Sequence, residues 1–252
     1  MQKETVYKMK IYVVGMGPGK EEYMTHEATK VLNASDVIIG YKVYIDLIRN
    51  VFPDKELLTT GMKEEVKRCE LCVEKALAGQ TVSLICSGDA GVYGMASLMI
   101  SVAASHPEIE VEVAAGVTAA LSGSAVLGAP VGHDFCVISL SDLLTPWELI
   151  EKRLVCAAEG DFVIVIYNPS SKGRPDHLKK AVDILSEHID PLRICGIARN
   201  IGRDGEDSRI CTLAELKSIK TDMFTTVFIG NSKSREVNGR FVTPRGYDEN
   251  DR

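Results

Sequence analysis

The sequence has no excess of basic residues and no apolar run within residues 1–10, and these absences argue against several broad classes of protein. Its 29 Lys and Arg residues are outnumbered by 35 Asp and Glu residues, so the formal net charge is −6. General affinity for nucleic acid is therefore not expected, and an anionic substrate would need a local cluster of cations. Residues 1–10 are polar and mixed in charge, which predicts no secretory signal and a cytoplasmic location.

Long apolar runs and paired cysteines are also scarce. One uncharged stretch, residues 113–132, is long enough to span a bilayer, but its Gly, Ser and Thr residues favour a buried helix of small side chains and no membrane association. The seven cysteines are odd in number and scattered, which is typical of a protein in a reducing cytosol. Cys69 and Cys72 have CxxC spacing without a second pair, so no metal site is predicted.

The chain instead contains two glycine-rich turns, each of which follows a short apolar run. Residues 10–14 lead into a turn at 15–19, and residues 81–86 lead into a turn at 87–91. Each pattern predicts a buried strand that ends in a tight loop. Ligands of open α/β sheets bind at the carboxyl ends of strands, so both loops are candidate binding elements. Asp89 either belongs to such a site or caps the helix that follows.

The first loop fits neither of the common phosphate-binding motifs. A dinucleotide fingerprint needs a third glycine where this chain has Lys20, and a P-loop needs Gly and then Ser or Thr where it has Val14 and Glu21. Pro18 also removes an N–H group that would bind phosphate. The loop therefore suits a ligand without phosphates, and a dinucleotide-dependent oxidoreductase is not expected.

Apolar runs alternate with helical stretches along the chain, which predicts an α/β protein with parallel strands. Residues 1–115 are predicted to form an N-terminal α/β domain with the glycine loops, and residues 116–252 a C-terminal α/β domain, with a cleft between them. The last predicted strand covers residues 225–230, and the polar tail from Asn238 is expected to be loose. The other predicted strands are 10–14, 36–40, 81–86, 109–113, 135–140, 161–167, 193–198 and 209–211, and the main predicted helices are 26–33, 41–52, 63–78, 146–159 and 176–188.

Five short motifs, in their order along the chain, resemble those of the tetrapyrrole methylases, which use S-adenosylmethionine (SAM). The motifs are residues 14–19, 87–91, 116–119, 167–169 and 225–227. The second has Ala90 where the family commonly has Pro, although other members carry Ala. The resemblance implies two α/β domains whose second domain completes a cleft for SAM and the tetrapyrrole. By match to the family, SAM is expected to contact Pro18, Gly88, Asp89, Val92, Tyr93, Thr118, Ala119, Tyr167, Ala198 and Thr226.

Two stretches indicate a particular branch of that family. Residues 132–143 followed by Pro146 and Trp147, and residues 167–171 followed by Arg174, are similar to the C(17)-methyltransferases of cobalamin synthesis, which act on precorrin-3B or a cobalt-containing counterpart. The resemblance implies methylation of carbon 17 of a precorrin-3-type tetrapyrrole with contraction of the macrocycle, by a homodimer. No residue decides whether the substrate ring carries cobalt or is metal-free.

The chemistry sets different demands for the two parts of this reaction. Methyl transfer is an in-line displacement that needs alignment in a dry site and no nucleophilic side chain. Ring contraction moves protons, so His133, Asp134 and Asp142 are the candidate catalytic residues. His133 is the leading candidate because the unperturbed pKa of histidine lies near neutrality, and its alternative role is that of a structural histidine at the start of a strand.

The implied substrate carries many carboxylates, which predicts a set of cations around its site. Arginine binds carboxylates through a planar fork, so the loops after residues 168 and 199 are expected to bind substrate. The alternative is that these side chains are solvated loop charges. Two other functions also stay open, namely methylation of another ring carbon and a non-catalytic tetrapyrrole carrier. The predicted substrate-binding cations are Lys172, Arg174, Arg199 and Arg203.

Overall fold

The computed structural model describes residues 8–247. The chain divides between Thr118 and Ala119 into two compact units, called here the first and the second unit. Each unit is an α/β structure built on its own five-stranded sheet.

The first unit has a five-stranded, fully parallel sheet with the strand order β3-β2-β4-β1-β5. The strand at 56–60 was not predicted, because its residues are polar or only partly buried and give no apolar run. The strands are β1 Met9–Gly15, β2 Val37–Tyr41, β3 Glu56–Thr60, β4 Val82–Cys86 and β5 Ile109–Ala114, and the helices are α1 His26–Ala34, α2 Lys42–Ile48, α3 Glu65–Leu77 and α4 Ala96–Ala103.

Helices cover both faces of this sheet, which is why its central strands are apolar throughout. Ile11 and Val13 belong to a buried cluster with α3 and α4 on one face. Val14 and Ile38 belong to a second cluster with α1 and α2 on the other face. Helix α1 begins where the sequence predicts, since the Thr25 side chain accepts the N–H of Ala28 at 3.1 Å and so caps the helix.

The second unit has a mixed sheet with the order β10-β9-β11-β8-β7. Strands β7 and β8 are parallel, but all the other neighbouring pairs are antiparallel, so the prediction of parallel strands is wrong for this half. The connection between β9 and β10 is too short for a parallel crossover, which needs about a dozen residues or more. The strands are β6 Gly128–Ala129, β7 Phe135–Ser139, β8 Val163–Tyr167, β9 Ile194–Arg199, β10 Asp207–Thr212 and β11 Thr225–Ile229, and the helices are α5 Ala119–Leu127, α6 Trp147–Glu159, α7 His177–Leu185 and α8 Leu213–Leu216.

Strand β11 is followed by further structure, so the prediction of a loose tail is wrong for residues 240–243, and residues 248–252 of that tail lie outside the described residues. Strands β12 (Arg235–Val237) and β13 (Arg240–Val242) form a hairpin, and β13 pairs with the short strand β6. Phe241 is fully buried against a cluster that includes Leu127 and Phe228. A single aromatic side chain in a polar segment thus anchors the tail through the hydrophobic effect.

The uncharged stretch at 113–132 contains helix α5, as expected for a buried helix of small side chains. The helix spans nine residues and buries small side chains such as Ala120 and Ser124. Within residues 8–247, no helix combines the length and the apolar character needed to cross a bilayer.

Candidate functional site

The two glycine loops of the first unit are joined by backbone hydrogen bonds. The N–H of Met16 donates to the carbonyl of Cys86 at 2.9 Å, which extends the pairing of β1 and β4 beyond their ends. Gly17 and Gly88 then exchange two bonds, of 3.0 and 2.8 Å, between their N–H and carbonyl groups. The loops predicted to bind a ligand therefore form one continuous backbone structure at the carboxyl ends of β1 and β4.

A third loop, which follows β5, packs against the other two so closely that only glycine fits. A Cβ atom added at Gly116 would lie 2.2 Å from the carbonyl oxygen of Gly88 and 2.5 Å from that of Gly15. A Cβ atom added at Gly15 would lie 2.7 Å from the Gly116 nitrogen. The glycines at these positions are required for close approach of the three backbones.

Asp89 holds this junction together with both of its carboxylate oxygens. Oδ1 accepts the N–H groups of Gly91 and Val92 at 2.8 and 3.1 Å, and Oδ2 accepts the N–H of Gly116 at 2.9 Å. Hydrogen bonds to an ionised acceptor are about twice as strong as neutral ones. Helix α4 begins only at Ala96 and has no side-chain cap, so the alternative that Asp89 caps the helix is wrong.

The remaining predicted SAM contacts of the first unit surround this junction. Val92 and Tyr93 are 37% and 58% exposed, although both are large and apolar or aromatic. Tyr93 has a φ of 52°, a left-handed conformation that is unusual for a bulky residue. Pro18 is buried and Thr118 is half-buried. The loop after β4 thus presents exposed apolar and aromatic side chains beside the junction of the glycine loops.

In the second unit, the predicted SAM contacts lie together at one edge of the sheet. Thr226 of β11 pairs in register with Ala198 of β9, and the register of β11 with β8 places Tyr167 beside Thr226. The Tyr167 hydroxyl accepts the N–H of Ala120 at 2.7 Å, which fixes the start of α5 and with it Ala119. We call this edge, at which β7, β8 and β9 end and β11 begins, the Tyr167 edge.

A charged cluster follows β7 and β8 at the Tyr167 edge. The Asp142 carboxylate lies 3.1 Å from Nε2 of His177 and 3.5 Å from Nη1 of Arg174. The hydrogen bond from His177, with a smaller contribution from Arg174, holds the pKa of Asp142 below its ordinary value. Asp142 is therefore ionised at neutral pH, which suits it to stabilise a positive charge.

His177 is a member of this cluster that the sequence analysis missed. It is buried at the first position of α7, and its ring packs edge-on against Trp147 with centroids 4.9 Å apart. It lies 35 positions from Asp142 along the chain and belongs to none of the five motifs. Only the packing of α7 beside the loop after β7 identifies it.

The structure separates the predicted catalytic residues. His133 and Asp134 precede β7, whereas Asp142 follows it. The five-residue strand between them spans about 17 Å at roughly 3.3 Å per residue. The ring nitrogen Nδ1 of His133 accepts the N–H of Asp134 at 2.8 Å, and both residues are exposed. The second unit therefore does not bring His133 and Asp134 together with Asp142, and their catalytic roles stay predictions.

The four predicted cations also have different surroundings. Arg199 binds the Asp222 carboxylate through Nε and Nη2, at 2.9 and 2.8 Å. The guanidinium of Arg203 lies 5.6 Å from the centre of the Phe224 ring. Lys172 is exposed in the loop after β8. Of these four side chains, Arg174 is the one that joins the Asp142 cluster.

The two cysteines with CxxC spacing, Cys69 and Cys72, are buried in α3. Burial raises the pKa of Cys69 to about 11 and that of the neighbouring Cys72 further, so both thiols are protonated at neutral pH. In the described part of the chain, no group of three or more His, Cys, Asp or Glu residues is arranged to hold a metal ion.

Comparison with known proteins finds one family whose model matches most of the chain. Residues 10–217 match the family of Tetrapyrrole (Corrin/Porphyrin) Methylases. The match contains four of the five motifs, and only the motif at 225–227 lies beyond it.

Individual relatives resemble the chain over nearly their full length. A probable cobalt-factor III C(17)-methyltransferase of Salmonella typhimurium is 44% identical over 236 residues, which cover 93% of this chain and 98% of the relative. A precorrin-3B C(17)-methyltransferase of Sinorhizobium sp. is 38% identical and covers 94% and 96%. The crystal structure of the methyltransferase CobJ is similar with a TM-score of 0.86, at 37% identity, and covers 93% of this chain and 99% of that one.

Proposed function

Because the chain belongs to the tetrapyrrole methylase family, we propose that it is a SAM-dependent enzyme of cobalamin synthesis that methylates carbon 17 of a precorrin-3-type tetrapyrrole and contracts the macrocycle. The observation that carries this proposal is the 44% identity over 93% of the chain to a relative named for methylation at carbon 17. An identity of 38% to the relative named for the precorrin-3B reaction supports the same position on the ring.

The geometry of the first unit supports SAM as the methyl donor. SAM has no phosphates, and the joined glycine loops lack the features of a phosphate site. Their amide and carbonyl groups suit the adenine and the amino-acid end of SAM, while the exposed side chains of Val92 and Tyr93 suit its apolar parts. Asp89 adds a negative charge that favours the sulfonium cation through Coulomb attraction. Pro18, Gly88 and Thr118, with Ala119, Tyr167, Ala198 and Thr226 of the second unit, stay predicted SAM contacts.

The protein's contribution to methyl transfer is to position the reactants and to exclude water. The macrocycle supplies an electron-rich carbon, so alignment with the methyl group of SAM is the main requirement. Ring contraction needs proton transfer in addition, and Asp142 is the candidate in the charged cluster at the Tyr167 edge. Its lowered pKa keeps it ionised, so its role is to stabilise cationic character rather than to act as an acid. His133 and Asp134 stay alternative candidates.

A homodimer is part of the proposal, as is a cytoplasmic location, and each has a direct test. Light scattering on the purified protein should give twice the mass of one chain. Cell fractionation should recover the protein with the cytoplasm.

The proposed function is tested by a paired incubation with SAM that carries a labelled methyl group. One sample contains the metal-free trimethylated precursor and the other its cobalt complex, both without oxygen. We expect label at carbon 17 in one of the two samples, together with the mass and absorbance of a contracted ring. The preferred sample identifies the form of the substrate.

Two other outcomes would overturn the proposal. Label at a different carbon would retain the family and refute the position. Tight binding of SAM and tetrapyrrole without any transfer, under the same conditions, would favour a carrier that binds the ring without catalysis. More than one labelled product per protein chain distinguishes turnover from such binding.

A further inference from the structure

The Arg174 side chain is held in place by three neighbouring side chains. Its Nη1 donates to the Ser141 hydroxyl at 2.6 Å and lies 3.5 Å from the Asp142 carboxylate, while its Nε donates to the Ser171 hydroxyl at 3.2 Å. The side chain is 19% exposed. These contacts engage two of the three guanidinium nitrogens and leave the group little freedom to turn.

The other amino group of Arg174, Nη2, has no partner among the described residues 8–247. No side-chain nitrogen or oxygen in this part of the chain is both buried and unsatisfied, so Nη2 reaches solvent. Its two N–H groups form a fixed, accessible donor of the kind that binds a carboxylate.

His177 holds the Asp142 carboxylate that faces Arg174. Its Nε2 lies 3.1 Å from Oδ2 of Asp142, the oxygen that does not face Arg174. The ring is itself fixed by packing against Trp147. The side chains that face Asp142 are thus Arg174 from the loop after β8 and His177 from α7, and each contacts a different carboxylate oxygen.

Apolar surface lies beside this charged cluster. Leu143 and Leu144 follow Asp142 directly and are 61% and 98% exposed. A ligand that satisfies both features carries a carboxylate on a flat apolar body, which is the chemistry of a tetrapyrrole with acidic side chains.

We propose that Arg174, Asp142 and His177 form an anchor for one carboxylate of the tetrapyrrole, in which Arg174 makes the contact and His177 is a positioning residue that acts through Asp142. The inference rests on the proposed function, which supplies the carboxylate-rich substrate. It assigns a role to His177, and it gives Asp142 the task of holding the guanidinium in place.

The anchor is tested by equilibrium binding of uroporphyrin I, a porphyrin with an acidic side chain at every peripheral position, followed by quenching of its fluorescence. We expect Arg174→Gln to raise the Kd about tenfold to a hundredfold, as for loss of a charge-assisted hydrogen bond. His177→Gln should raise it about threefold to tenfold, because the guanidinium is still present but less well oriented. SAM affinity, measured by calorimetry, should be unchanged in both variants.

A double-variant cycle separates positioning from a general structural role. If His177 acts through Asp142 on Arg174, the double variant Arg174→Gln/His177→Gln binds uroporphyrin no more weakly than Arg174→Gln alone. Independent, additive losses would overturn the role of His177. In the methyl-transfer assay, His177→Gln should raise the KM for the tetrapyrrole.

Arg193→Gln is the matched control. Arg193 is similarly buried, with 17% of its side chain exposed, and also faces an aspartate, but it lies before β9 at the opposite end of the sheet. Its replacement should leave uroporphyrin binding unchanged. If Arg174→Gln does not fold, Arg174→Lys keeps the charge but cannot make the contacts that hold the guanidinium in place, and it should still weaken binding.

The anchor and the proposed function can fail separately. Unchanged uroporphyrin affinity in the Arg174 variants, or no binding by the unaltered protein, would overturn the anchor whatever reaction is catalysed. If the Arg174 variants bind uroporphyrin more weakly, as expected, but no label appears at carbon 17, the anchor is supported and the proposed reaction is refuted.

Discussion

The junction of the three glycine loops depends on one carboxylate, so replacement of Asp89 by Asn is the sharpest test of the first unit. Asn keeps one oxygen, which can still accept the N–H groups of Gly91 and Val92. Its amino group then faces the N–H of Gly116, where the carboxylate accepted a bond of 2.9 Å. The variant therefore loses the charge-assisted bond to Gly116 and places two N–H donors against each other. The bonds to Gly91 and Val92 remain, but they are weaker because the acceptor is no longer charged.

The magnitude follows from these three contacts. A hydrogen bond to a charged group is worth about 1.5–3 kcal/mol, and an unsatisfied donor adds a penalty of similar size that is partly relieved by solvent. We expect Asp89→Asn to destabilise the protein by about 2–4 kcal/mol, which lowers the Tm by roughly 6–12 °C for a chain of this size. Because the same loop carries Gly88, Val92 and Tyr93, SAM affinity should fall at least about tenfold.

The assay is thermal unfolding together with calorimetric titration of SAM, and Asp36→Asn is the control. Asp36 accepts a single backbone N–H, that of Thr81 at 2.7 Å, at the amino ends of β2 and β4. Its replacement should cost only about 1 kcal/mol and leave SAM affinity unchanged. If Asp89→Asn melts at the same temperature as Asp36→Asn and binds SAM as tightly as the unaltered protein, Asp89 does not hold the junction.

Three further predictions concern other parts of the molecule. Gly116→Ala should destabilise the first unit by more than about 3 kcal/mol in urea unfolding, because its Cβ meets backbone oxygens at 2.2 and 2.5 Å, whereas Gly173→Ala, with nothing within 4 Å, should change stability by less than about 0.5 kcal/mol. At pH 8 a thiol reagent should modify Cys156 rapidly and Cys86 slowly, because Cys156 is exposed while burial raises the pKa of Cys86 to about 11; a fast phase that persists in Cys156→Ser would contradict this. The pKa of Asp142 is lowered in the folded state, chiefly by His177, so its contribution to stability is complete above the unfolded pKa of about 4 and disappears as pH falls through the folded pKa. Asp142→Asn should therefore be less stable than the unaltered protein at pH 7, with unfolding midpoints that converge below about pH 4, and a constant difference would refute this explanation.

The sequence was most informative where a pattern was local. The cap at Thr25, the buried strands β1 and β4 and the loops that follow them each depend on a few consecutive residues, and all were predicted close to their observed positions. The same holds for α6, which begins directly after Pro146. Local propensity and apolar periodicity are properties of short segments, so they can be read without knowledge of the fold.

Predictions failed where pairing partners lie far apart in the chain. Strand β13 and its fully buried Phe241 occur in a segment that is polar on average, and the burial depends on a cluster that reaches back to Ala120 and Leu127, more than 100 positions earlier. The antiparallel pairing of β11 with β8 and β9 has no local signal either. Such pairings are chosen by the packing of the whole unit, which overrides the average character of a segment.

The candidate site shows the same division between sequence and fold. The motifs determined the family, the glycine loops and the expectation of a ligand without phosphates, because these depend on residue types at fixed spacing. Only the tertiary structure decided that Asp89 is bound by three backbone N–H groups and that His177 meets Asp142. The physical reason is that these contacts depend on how separate segments pack: the packing of α7 brings a residue 35 positions away into hydrogen-bonding distance, and no local pattern encodes that contact.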